Sequence, residues 1–191
     1  MKILFIIFSY LFGSIPTGYI FYKLSEKKDI RSFGSHSTGA TNVLRLKGIK
    51  TAILVLIIDF LKGILPAFLA SELFDDMRFS LLCGFFTILG HCFPVYIKFR
   101  GGKGVATTMG IFAFLAFKPF LLCLVVFLLV VLLTRFVSLG SMLSILSYPI
   151  FVYILNGKFE IILLSSIIFF LIASRHWNNI KRLARGKENK I

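Results

Sequence analysis

The sequence predicts an all-α, polytopic membrane protein of seven transmembrane helices, with the N-terminus outside, the C-terminus cytoplasmic and the polar segments gathered on the cytoplasmic face. Three observations predict it. Apolar residues make up 58% of the 191 and come in long unbroken runs rather than in the one-sided stripes of a surface helix. A chain this short cannot surround several such runs with soluble structure. Its charges, 22 Lys and Arg against 8 Asp and Glu, fall unequally between alternate loops.

Taken in order, the apolar segments fall at 3–22, 51–70, 79–97, 105–117, 119–134, 137–155 and 159–174. The first holds twenty residues without a charge, enough to cross roughly 30 Å of hydrocarbon at about 1.5 Å per residue. It lacks a basic stretch beyond Lys2 and an Ala-x-Ala cleavage site, so it reads as a spanning helix rather than a leader. The second contains Asp59 and Lys62, whose charges would cost about 2.5 to 3.5 kcal/mol each if unpaired in lipid. They are expected to pair with each other or with the polar loops, as support for a site. Cys83, Cys92 and Cys123 lie in apolar runs without CxxC spacing, so buried free thiols are expected.

Residues 105–134 fit either one long helix or a hairpin broken at Lys118 and Pro119. Charge separates the two. With the hairpin, and so seven helices, Lys and Arg divide 17 inside to 4 outside; merging the pair gives 11 to 9 and leaves Lys62 and Lys118 within the membrane. Seven helices satisfy the rule, and the acidic loop 71–78, with Glu72, Asp75 and Asp76, then lies outside.

A formal charge of +14 would suggest nucleic acid in a soluble protein. Here topology and contact with anionic lipid account for it, and no nucleic-acid partner is expected. Residues 1–191 show no repeat or low-complexity stretch and read as a single integral membrane domain. Polar connections are short except 23–50, and loops of that length are disproportionately functional.

Three polar segments carry the chemistry. The first runs from Gly34 through Ser35, His36, Ser37, Thr38, Gly39, Ala40, Thr41, Asn42, Val43 and Leu44 to Arg45. Glycines let backbone N–H groups approach an anion, the hydroxyls add donors, and a helix starting near Thr38 would put Thr38, Asn42 and Arg45 on one face. An ordinary capped loop is the plainer alternative. The second holds Gly90-His91-Cys92-Phe93-Pro94 and then Phe99-Arg100-Gly101-Gly102-Lys103-Gly104 where a helix re-enters the membrane. N–H groups at that helix start, with Lys103 beside them, suit a phosphate, although the nucleotide P-loop spacing is absent. His91 lies within a span and reads as a helix-packing donor. In the third, Arg175-His176-Trp177-Asn178-Asn179-Ile180-Lys181-Arg182, a continued helix would align Arg175, Asn179 and Arg182 beside His176. Snorkelling explains the cations but not the His and Asn. Ser138-Leu139-Gly140-Ser141 opens another helix on the same side and offers either donors or plain capping.

Together these segments resemble the signature blocks of the bacterial acylphosphate:glycerol-3-phosphate acyltransferase family, over the whole chain. The first block matches at Gly34, Ser35, Gly39, Ala40, Thr41, Asn42 and Arg45, while His36 and Ser37 depart from it. The second is met by Gly90, His91, Phe93, Pro94, Phe99, Gly101, Gly102, Lys103, Val105, Ala106 and Thr107, and the third by Arg175, His176, Asn179, Ile180 and Arg182. The resemblance implies transfer of a fatty acyl group from acyl phosphate to the sn-1 hydroxyl of glycerol 3-phosphate, giving lysophosphatidic acid and phosphate, without a metal or other cofactor. It further implies a multi-pass protein of the bacterial cytoplasmic (inner) membrane, whose partners are its phosphorylated substrates and the bilayer, with a monomer expected.

Candidate catalytic residues are then Ser35, Lys103 and His176. Candidate substrate-binding residues are Gly34, Thr38, Gly39, Thr41, Asn42, Arg45, Gly101, Gly102, Gly104, Ser141, Asn179 and Arg182. Lys103 and Arg45 suit phosphate charge; Ser35, Asn42, His176 and Asn179 suit orientation. The His and Asp separated by four residues that serve the common soluble-type acyltransferases are missing, and no cysteine lies in the polar blocks. An acyl phosphate is already activated, so a substrate phosphate or His176 could take the hydroxyl proton. A small transporter needs access from both faces and a repeat, and a CDP-alcohol phosphotransferase needs clustered aspartates; neither feature is visible.

Overall fold

The computed structural model describes residues 1–191, and every regular element in it is helical. The helices are α1 Lys2–Gly13, α2 Thr17–Glu26, α3 Ala40–Lys47, α4 Ile49–Phe74, α5 Met77–Cys92, α6 Val105–Leu115, α7 Phe117–Thr134, α8 Val137–Ile154, α9 Phe159–Arg175 and α10 Trp177–Ala184. Short 3-10 turns lie at Ile30–Ser32 and Val95–Ile97. Each predicted apolar segment is a helix or helix pair, with ends shifted by a few residues.

The shifts have local causes. Pro16 has no N–H to donate, so the first run breaks after Gly13 and restarts at Thr17, whose N–H reaches the Ile15 carbonyl at 3.1 Å. Its two pieces make one apolar span, Lys2–Glu26. The predicted break within 105–134 is present, but it falls at Ala116, extended at φ −154°, rather than at Lys118 and Pro119. Pro119 sits in the first turn of α7, where a missing donor costs nothing.

Five segments are long and apolar enough to cross a membrane: Lys2–Glu26, Ile49–Phe74, Met77–Ile97, Phe117–Thr134 and Val137–Ile154. The pair α9 and α10, bent by 64°, makes a sixth. Helix α6, at 11 residues, is about 16 Å long and too short to cross alone.

The chain divides into two compact units, Met1–Ile111 and Phe112–Ile191. In the first, α5 packs on both α1 and α4, and α3 on α4. Small residues bring α1 and α5 together: a Cβ on Gly13 would stand 2.1 Å from the Thr87 carbonyl oxygen, and one on Gly90 2.2 Å from that of Tyr10. Buried hydroxyls turn back to backbone, as Ser80 does to Ala67 O at 2.5 Å and Thr87 to Cys83 O at 2.9 Å, because lipid offers no partner. In the second unit α8 packs on α7 and α9. Tyr148 stacks on Phe112, ring centres 3.6 Å apart, and donates to its carbonyl at 2.9 Å. Outward faces are apolar; Leu132 and Leu133 of α7 are 76% and 84% exposed, as a lipid-facing surface requires. The three cysteines are buried free thiols, as expected.

Candidate active site

The first block is a loop built around Asn42. Its buried side-chain oxygen accepts the Ser35 N–H at 2.8 Å, and its amide donates to the carbonyls of Ser37 (2.9 Å), Phe33 (3.1 Å) and Ile30 (3.4 Å). Asn42 thus holds the loop that presents Ser35. Gly34 is needed where it stands, because φ is +59° and a Cβ would lie 2.2 Å from the Asn42 oxygen. His36 also has positive φ, +56°, and its Nδ1 donates to Arg31 O at 2.9 Å. Helix α3 begins at Ala40, with Gly39 as N-cap. Thr38 therefore precedes the helix, buried, and does not share a face with Asn42 and Arg45 as the spacing predicts. The extended Gly39 ends the loop, with its N–H on the Ser37 hydroxyl at 3.3 Å. Thr41 and Arg45 lie four apart on α3, on one face, both half-buried.

The second block turns sharply. After the Val95–Ile97 turn, Lys98 and Phe99 take φ of +57° and +59°, and Phe99 N–H returns to Pro94 O at 2.9 Å. Tyr10 fixes the turn from α1, donating to Phe93 O at 2.7 Å. Gly101 and Gly102 then lie directly on His91: Gly102 N–H donates to His91 O at 3.2 Å, and a Cβ there would stand 2.1 Å from the ring Nε2. Gly104, at φ +84°, leads into α6, and half-buried Lys103 stands at this helix start. The Thr107 and Thr108 hydroxyls are buried without a hydrogen-bond partner.

Beneath that turn lies a charged cluster. Lys62 Nζ is 2.8 Å from Asp59 Oδ1, which also accepts the Thr17 hydroxyl at 2.9 Å. Lys62 donates to Ile15 O at 2.8 Å, and His91 Nδ1 is 3.7 Å from the same Asp59 oxygen. The pair is satisfied internally, as charge in lipid demands. His91 is a packing residue of both α5 and the glycine turn.

The first two blocks belong to one compact unit, and Arg31, just before the first, reaches the second. Asp29 caps the Ile30–Ser32 turn and grips Arg31 through both oxygens, Oδ2 to Nη2 at 2.7 Å and Oδ1 to Nε at 3.0 Å. Arg31 Nη1 then donates to Ile97 O at 2.8 Å. The hydrogen bond to Arg31 holds the Asp29 carboxyl below its ordinary range and raises the guanidinium correspondingly.

The third block lies in the second unit. The helix does not continue: it bends by 64° at His176, so Arg175 ends α9 while Asn179 and Arg182 face together on α10. The predicted single stripe with Arg175 is corrected accordingly. His176 Nδ1 is 2.8 Å from Ile172 O. A carbonyl only accepts, so Nδ1 carries a proton. Glu188 closes this block: its Oε1 accepts Asn179 at 2.6 Å and Ser138 at 3.0 Å, and its Oε2 accepts Arg182 Nε at 2.7 Å. Burial pushes the Glu188 carboxyl up, but these donors outweigh it and leave it below its ordinary value. Ser141 is buried and donates to Val137 O at 2.8 Å, within its own helix.

Sequence reasoning did not find Arg31, Asp29 or Glu188. The signals were an Asp-x-Arg step beside the first block and a lone acid in a tail with six cations from Arg175 onward.

The sequence model for the glycerol-3-phosphate acyltransferase family matches residues 3–186. The glycerol-3-phosphate acyltransferase of Endomicrobium trichonymphae is 42% identical over 191 residues, covering 100% of this chain and 96% of its own length. Glycerol-3-phosphate acyltransferase 2 of Bacillus anthracis is 45% identical and covered fully on both sides. Among solved structures, PlsY, an integral membrane glycerol 3-phosphate acyltransferase, is similar in its glycerol 3-phosphate form, with a TM-score of 0.95, 37% identity, and 100% of this chain and 95% of that one covered. Its lysophosphatidic acid form gives a TM-score of 0.92 at the same identity and coverage. This chain is therefore an integral membrane acyltransferase that belongs to the glycerol-3-phosphate acyltransferase family.

Proposed function

We propose that the chain transfers a fatty acyl group from acyl phosphate to the sn-1 hydroxyl of glycerol 3-phosphate, as one domain over residues 1–191 in a bacterial cytoplasmic membrane. The observation that carries the reading is the glycine turn laid on His91, with Lys103 next to it at the start of α6. Both substrates are phosphate monoanions or dianions, and N–H groups at a helix start together with a lysine are what such groups bind.

The sn-1 oxygen attacks the acyl carbon, the ester bond forms, and the carbon–oxygen bond to phosphate breaks with its electron pair leaving on phosphate. Lys103 and Arg45 offset the charge of the phosphate groups, with Thr41, Gly39 and the N–H groups of Gly101, Gly102 and Gly104 as further donors. Ser35 orients the acceptor. The hydroxyl proton passes to phosphate or to His176, whose ring is oriented by the Ile172 carbonyl. Asn179 and Arg182 orient the third block, and no metal or cofactor takes part.

For topology we retain seven crossings or partial crossings, N-terminus outside, with α6 as the short member. The support is the 17 to 4 division of Lys and Arg. A maleimide that cannot cross membranes, applied to intact cells, should label Lys158→Cys and not Lys187→Cys; the reverse pattern would overturn the orientation.

The donor is tested by supplying purified protein with glycerol 3-phosphate and either acyl phosphate, acyl-CoA or acyl carrier protein, with chelator present. Lysophosphatidic acid from acyl phosphate alone is expected. Equal use of acyl-CoA would refute the donor assignment.

A further inference from the structure

We infer that Arg31 is a positioning residue that ties the two glycine-containing blocks together and sets the phosphate turn for glycerol 3-phosphate; this rests on the function proposed above. The turn has to be held by something. Lys98 and Phe99 both occupy the left-handed region, which strains a non-glycine residue and persists only where neighbours over-determine it. They stand between Ile97 and the sequence Arg100-Gly101-Gly102-Lys103. Relaxing them would move the glycine turn off His91 and displace Lys103.

Arg31 acts at the entry to that strained pair. Its Nη1 donates to Ile97 O at 2.8 Å, the carbonyl immediately before Lys98, and lies 3.5 Å from Arg100 O just after Phe99. The guanidinium is itself fixed: Asp29 takes Nε and Nη2, Asp29 Oδ1 also accepts the Arg31 N–H at 2.9 Å, and the group lies 5.3 Å from the Tyr19 ring centre. Tyr19 belongs to α2, and buried Ile30, next in sequence to Arg31, packs with Tyr22, Val43, Ala52 and Val55. The fork is thus pre-set by Asp29 and Tyr19, ahead of the first block, and spends its remaining arm on the second. Only a planar, five-donor group meets both demands at once; a lysine would reach one of them.

The arrangement also links the blocks chemically. Arg31 O accepts from His36, one residue beyond Ser35, so the same residue that fixes the turn around Lys103 bonds the loop that presents Ser35. A shift of either loop is felt by the other through Arg31.

The test compares Arg31→Gln and Arg31→Lys with wild type, with Arg185→Gln as an exposed-cation control. Because Lys103 moves with the turn, Arg31→Gln should lower kcat/KM for glycerol 3-phosphate about tenfold or more, with Arg31→Lys in between. In the folded protein, backbone amide exchange over 98–103 should quicken about tenfold in Arg31→Gln and be unchanged in Arg185→Gln. Unchanged kcat/KM for glycerol 3-phosphate, or unchanged exchange over 98–103 in Arg31→Gln, overturns the inference. If Arg31→Gln shows no cooperative melt, Arg31→Lys decides by the same two readouts. Absence of acyl transfer by wild type would sink the functional reading alone, since exchange still tests the tie.

Discussion

Glu188 and Arg182 are joined at 2.7 Å, Oε2 to Nε, with the carboxylate side chain only 4% exposed. The same carboxylate accepts from Asn179 and Ser138, so one residue of the C-terminal tail organises Asn179 and Arg182 of α10 and the start of α8. The tail is anchored twice more, through Ile191 N–H to Arg135 O at 3.1 Å and Lys190 over the Phe136 ring.

Glu188→Gln should therefore weaken the third block and lower the melting temperature, since a buried charge-assisted contact is worth about 1.5 to 3 kcal/mol. The wild-type tail should also loosen at acid pH. Its folded-state carboxyl is depressed, so its contribution is complete above the ordinary value of 4.5 and is lost as pH falls through the lower folded value. Proteolysis of the tail against pH checks this; a Glu188→Gln tail should show no such acid step.

Gly102→Ala should displace the phosphate turn, because the added carbon would meet His91 Nε2 at 2.1 Å. KM for glycerol 3-phosphate should rise about tenfold or more. In the Gly102→Ala, His91→Ala double variant the clash is gone, so the Gly102→Ala effect should shrink when measured in that background. Kinetics of the four proteins, compared as a cycle, check the coupling.

Asp59→Asn should destabilise strongly, by about 3 to 5 kcal/mol, because it leaves Lys62 charged and buried. Asp59→Leu with Lys62→Met removes both charges and should cost less than Asp59→Asn. Thermal melting in detergent ranks the three proteins; a double variant less stable than Asp59→Asn would count against the pair as a compensated charge.

What could be read from the sequence follows the range of the forces involved. Spans are legible because crossing lipid needs a local run of apolar residues, and the break within 105–134 because the loops around it carry uneven charge. The break at Ala116 is not legible: Pro119 tolerates the first turn of α7 and so does not mark the boundary. The two glycine blocks are legible as anion-binding material, but the use of Asn42 is not. Its amide is spent on Ile30, Phe33 and Ser37, residues joined to it only by the loop's closure. The bend at His176 hides for another reason, since Arg175 to Arg182 has good helical spacing and nothing in it resembles a breaker. Glu188 lies beyond the periodic pattern altogether, and its partners are fixed by the turn at Gly186, with φ +65°.

The central claim is that Lys103 serves a metal-free transfer between two phosphorylated substrates. It is tested most directly by incubating the purified protein with acyl phosphate and glycerol 3-phosphate under chelator, and measuring lysophosphatidic acid and inorganic phosphate together. Wild type should give equal amounts of both products, and Lys103→Ala should lose about a hundredfold or more of the rate. Phosphate release without lysophosphatidic acid, or a Lys103→Ala enzyme as fast as wild type, would contradict it.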